Sequence, residues 1–218
     1  MAEHLRILRH VGWVLVVIGL LDIGFMIYCI ANRMNYSSSL NVFSVVAGIF
    51  LLRGSLGAAR VVTWFSAFML SGLLLCSFLV FPWLQPLEYW VLTFREDPVV
   101  SLVSILMVPV LLFVLFWVYR MLRAPPVVQA RAAAGQRSGV PKSAFVAGSA
   151  LAVIMAVMLQ LTLKGELADQ AVRLATQQHG SEYRYFVSSI NWAGRRASAR
   201  LTAYNDKESK EVEVEWEN

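Results

Sequence analysis

For most of its length the chain alternates long apolar runs with short polar stretches, and then its periodicity changes. Apolar runs cover residues 11–31, 40–59, 61–83, 98–121 and 143–163. Each is close to the roughly 20 residues that a helix needs to cross about 30 Å of hydrocarbon. The second run is the weakest, because Arg53 interrupts it. Between the third and fourth lies "PLEYWVLTF", too short to cross a bilayer and too apolar for a free loop. It predicts a helix over residues 86–95 lying along the interface. Pro98 suits the first turn of the fourth run, and Pro109 predicts a kink within it.

Beyond Lys164, "GELADQAVRLATQQHG" places Leu167, Ala171, Leu174 and Ala175 at helical spacing and ends on a glycine stop. Three segments then alternate with period two: "EYRYFVSSINWA", "RRASARLTAYND" and "KEVEVEWEN". This alternation predicts half-buried strands. With "NDKE" at 205–208 as a hairpin loop, Arg200 falls opposite Glu213 and Arg196 opposite Glu217. In the same register Leu201 faces Val212 and Ala197 faces Trp216, which puts opposite charges on one face and apolar pairs on the other. The predicted fold is a membrane all-α domain, residues 1–163, of five transmembrane helices. A small external α+β domain, residues 164–218, follows with one helix and a three-stranded antiparallel meander.

Charge sets the direction of the spans. Nine Lys or Arg residues flank one set of span ends: Arg6, Arg9, Arg53, Arg60, Arg120, Arg123, Arg131, Arg137 and Lys142. Only Arg33 and Arg95 flank the other set. The asymmetry predicts a cytoplasmic N-terminus and, after five crossings, an external C-terminal domain. Trp13, Trp64, Trp117 and Tyr119 fall at the cytoplasmic interface, and Tyr28, Tyr36, Trp83, Tyr89 and Trp90 at the outer one. The expected location is a cell membrane, a bacterial inner membrane with a periplasmic C-terminal domain. The basic linker 123–142 reads as a solvated cytoplasmic connector whose cations can meet anionic lipid headgroups.

Composition agrees with this picture: 58% of residues are hydrophobic and only 15% charged, against roughly 25% charged in average soluble domains. The net charge of +5 lies mainly in the loops between spans, and no basic stripe interleaved with aromatics suggests nucleic acid. Cys29 and Cys76 both fall within apolar runs and read as buried free thiols. The first apolar run is too long for a signal-peptide h-region, so an uncleaved first span is expected.

Candidate chemistry is sparse. Asp22 lies at mid-depth of the first span, and Arg53, about one to two turns closer to the cytoplasm, is its expected partner. Small residues at Ala144, Gly148, Ala152 and Ala156 form a stripe for close helix approach, with shorter versions at Ser44/Gly48 and Ala67/Ser71. Arg196, Arg200, Glu213 and Glu217 form the expected cross-strand charge pairs, and the glutamate row reads as a solvated face. No metal-ligand spacing, phosphate loop or nucleophile motif is present, so no catalytic residue, metal or cofactor is expected. The leading expectation is a non-enzymatic accessory or assembly subunit that uses its C-terminal domain or its fifth span to contact a protein partner. The alternative is a small transporter or ion-conducting oligomer centred on Asp22.

Overall fold

A computed structural model describes residues 2–33, 41–80, 87–193, 196–205 and 208–217. Eight α-helices and three strands are described within them. In chain order the helices are α1 (Ala2–Ala31), α2 (Asn41–Leu52), α3 (Leu56–Leu75), α4 (Leu87–Glu96), α5 (Pro98–Leu122), α6 (Pro125–Ala133), α7 (Lys142–Leu163) and α8 (Glu166–His179). The strands are β1 (Arg184–Ala193), β2 (Arg196–Tyr204) and β3 (Ser209–Glu217). After Leu75, α3 widens into a π-helical turn over Cys76–Val80.

Four helical stretches are long and apolar enough to cross a membrane: Glu3–Ala31, Leu56–Phe78, Pro98–Leu122 and Lys142–Leu163. Their large apolar side chains point outward, with Leu21 and Val99 each 69% exposed and Phe113 67% exposed. Surfaces of that extent suggest a membrane protein, because water would penalise them and hydrocarbon would not. The expected second span differs from the run read in the sequence. Its helix has 12 described residues, about 18 Å at 1.5 Å per residue. It ends in a turn at residues 53–55, where Gly54 has φ +79°, a conformation that glycine adopts without strain. Residues 56–59 therefore belong to α3. The expected outer loop around Tyr36, the start of the second run, and the end of the third with Trp83 lie outside the described residues.

The chain divides into two compact units, residues 1–71 with 112–148 and residues 72–111 with 149–218. In the first unit α1 and α2 form a tight antiparallel pair. A Cβ built on Gly12 would lie 2.8 Å from the Gly48 carbonyl oxygen and 3.0 Å from the Leu52 nitrogen. One built on Gly48 would lie 3.0 Å from the Val16 nitrogen. The two backbones touch because neither helix carries a side chain at the crossing. Gly54 comes against Leu5, so α2 returns the chain to the level of the first turns of α1. Leu8, Val11, Leu51, Val62, Val118, Leu122 and Val127 share one core, which gathers the last turns of α5 and the start of α6 to the same end. The linker is not a bare connector: Pro125 starts a helix, alanines favour it, and Val127 anchors it at 0% exposure.

In the second unit α8 covers one face of a sheet ordered β1-β2-β3. Ala168, Ala171 and Ala175 meet Ala197, Ala199, Leu201, Ala203, Val212, Val214 and Trp216. Small residues on both sides let helix and sheet approach closely. Acids at Glu166 and Asp169 in the first turn of α8 and His179 in its last complement the helix dipole, and Gly180 at φ +90° stops it. The β2–β3 register pairs Arg200 with Glu213, Arg196 with Glu217, Leu201 with Val212 and Ala197 with Trp216, as the hairpin arithmetic expects. Asn205 closes that hairpin: its N–H donates to the Glu208 carbonyl at 3.0 Å, and its side-chain oxygen accepts the Glu208 N–H at 2.9 Å. Between Val187 and Ser189, β1 shifts register, leaving the Ser188 hydroxyl 3.0 Å from that of Thr202.

Candidate functional site

The crossing of Gly12–Val16 with Gly48–Leu52 fixes the relative heights on α1 and α2. Arg53 falls level with about residue 11, while Asp22 lies about eleven residues, or roughly 16 Å, further along α1. Asp22 is half-buried and Arg53 exposed. That offset is about three helical turns along α1. A shorter second helix, ending at Leu52, lowers Arg53 by more than a span of full length would.

The small-residue stripe meets a partner within the chain. Ala144 and Gly148 are buried, and a Cβ on Gly148 would collide with the Phe68 carbonyl and Ser71 hydroxyl of α3. Ser71 donates to the Phe145 carbonyl at 3.2 Å, and the Trp64 indole N–H donates to the Ser143 hydroxyl at 3.3 Å. The first turns of α7 therefore pack on α3, with the small residues of both runs in the contact. Ala152 is buried and Ala156 half-buried.

Beside that contact lies a cavity of about 510 Å³, walled by the start of α3, by α6 and by residues 137–143. Arg60, Arg131, Arg137 and Lys142 line it, and no carboxylate among the described residues does. Arg131 is only 3% exposed. Its Nη2 donates to the Arg137 carbonyl at 2.6 Å, while its buried Nε and Nη1 have no hydrogen-bond partner among the described residues. Burial pushes the Arg131 guanidinium below the ordinary arginine value, and the nearby cations Arg123 and Arg60 push it further. Arg123 holds the rim by donating to the carbonyls of Ser138 and Gly139 at 2.7 and 3.0 Å. The sequence shows these cations as a loop-charge signal. That one of them is buried depends on α6, which the Pro- and Gly-containing linker disguises.

A second cluster lies where α4 meets the sheet. Tyr89 packs edge-on against Phe186 and Tyr204, with ring centroids 4.9 and 6.0 Å apart. Glu88 pairs with Arg184, and Glu96 accepts both the N–H and the hydroxyl of Ser209 at 2.9 Å. Burial raises the Tyr204 hydroxyl above the ordinary tyrosine value, and the Glu88 carboxylate raises it further while Arg184 draws it back. Elsewhere on that face Arg200, Glu211, Glu213 and Glu215 are exposed. The helix expected over 86–95 is thus present, and its polar residues grip the sheet. Glu88 and Glu96 carry no signal in the sequence that names their partners.

Among the described residues, no group of three or more His, Cys, Asp or Glu side chains could hold a metal ion. Comparison of the chain with protein-family models, with curated proteins and with solved structures finds no match.

Proposed function

We propose that the chain is a non-enzymatic multi-pass membrane protein, an accessory or assembly subunit whose C-terminal module binds a protein partner. In this reading the N-terminus is cytoplasmic, the chain crosses five times, and the module lies outside, in the periplasm of a bacterial cell. Three features support the topology. The turn after α2 returns beside Leu5, the end of α5 shares a core with Leu8 and Val11, and α7 starts beside Trp64. All nine flanking cations belong to the unit that holds those ends, as the positive-inside rule favours.

The observation that carries the binding role is the build of the sheet. Its apolar face is closed by α8, whereas β3 is an edge strand with Glu211, Glu213 and Glu215 exposed in a row. A row of exposed carboxylates on an edge strand suits a basic partner surface. The test is co-purification from mild detergent of the full chain and of Glu211→Lys/Glu215→Lys, which spares the Arg200–Glu213 register pair. A partner recovered with the first and lost with the second, at unchanged stability, supports the reading. Identical recovery from both, or recovery of the chain alone from native membranes, defeats it.

A further inference from the structure

The geometry points to a binding site for a phosphate-type oxyanion in the cavity between α3, α6 and residues 137–143. This site does not depend on the assembly role. Among the described residues four cations line the space and no carboxylate does, so the local field favours an anion. Arg131 is nearly buried, and two of its nitrogens have no partner among the described residues. Buried guanidinium groups are costly unless they are paired, and a planar fork of donors matches phosphate oxygens. One bond to the Arg137 carbonyl orients the fork without using up its donors. The start of α7 also faces the cavity through Lys142 and Ser143, adding the positive end of a 22-residue helix. Burial, together with repulsion from Arg123 and Arg60, already disfavours the Arg131 cation, and an anion in the cavity would reverse that balance.

Two sources supply the same chemistry: free phosphate, and the phosphate of an anionic lipid. The cavity lies at the first turns of two candidate spans, beside Trp64, where a headgroup can reach it. The volume admits either.

The experiment uses the full chain in an uncharged detergent. Inorganic phosphate is titrated against chloride at matched ionic strength, with thermal unfolding as the readout. In parallel, the chain is placed in phosphatidylcholine nanodiscs with and without phosphatidic acid, and retained lipid is counted by native mass spectrometry. Saturable stabilisation by phosphate identifies a free-anion site, and retained phosphatidic acid without it identifies a headgroup site. In either arm Arg131→Met should weaken binding roughly ten- to hundredfold. Arg137→Gln, an exposed rim change that leaves the Arg131 guanidinium in place, should weaken it less. Arg173→Gln, on the exposed face of α8, should leave it unchanged. No binding in either arm overturns the inference. So does equal binding by wild type and Arg131→Met, or an equal loss in Arg173→Gln. If Arg131→Met fails to fold, the contrast between Arg137→Gln and Arg173→Gln decides.

Discussion

The sheet and the basic cavity both place arginines beside other groups, yet they manage charge in opposite ways. On the sheet, Arg200 stands opposite Glu213 and Arg184 pairs with Glu88, all in contact with solvent. In the cavity, Arg131 is buried among other cations. Exposed pairs of the first kind contribute little stability each, while a buried unpaired charge is destabilising. The difference separates charge that keeps a surface wet from charge that is waiting for a ligand.

The largest effect is expected where the apolar layer of the sheet is emptied. Leu201 is fully buried beneath α8, so Leu201→Ala should cost about 2–5 kcal/mol. Denaturant titration and amide exchange over residues 184–217 would read the loss. The opposite sign is expected at the cavity. In phosphate-free, uncharged detergent, Arg131→Met should leave the chain equally stable or more stable by up to about 4 kcal/mol. A marked loss of stability there would show that the guanidinium is already neutralised.

Smaller effects sharpen the wet side. Arg200→Glu alone should destabilise the hairpin by roughly 0.2–1 kcal/mol, and adding Glu213→Arg should recover most of it. A double-mutant cycle measures that coupling. The smallest effect concerns Tyr204. Its folded-state value is raised by burial and by Glu88, so the unfolded chain ionises first. The neutral hydroxyl therefore contributes stability that is full below about pH 10 and is lost as pH rises through the folded value. Tyr204→Phe should flatten the alkaline fall in denaturation midpoint that the parent chain shows.

Legibility in the sequence follows the same division. The β2–β3 register is readable residue by residue because period two and a four-residue loop fix it locally. Most apolar helices are readable because length and composition suffice for a span. The second run is misjudged at Arg53, since only the φ of Gly54 shows that the chain turns there. The cavity is hidden for a related reason: "APPVVQARAAAGQRSGVPKS" has the composition of a connector. Only tertiary packing of Val127 turns half of it into a helix that carries Arg131 inward. Composition describes what a segment tolerates, and burial is decided by what it meets.

The grip of α4 on the sheet has a practical consequence. Tyr89, Glu88 and Glu96 together cover the end of the meander at Phe186, Arg184, Tyr204 and Ser209. A recombinant fragment starting at Lys164 would leave that aromatic patch bare, and aggregation in the test tube is its expected fate. Fusing residues 87–96 through a flexible tether should restore a monodisperse product. The soluble unit for crystallisation or antibody production is therefore discontinuous in sequence, and a truncation chosen from the hydropathy boundary alone would miss it.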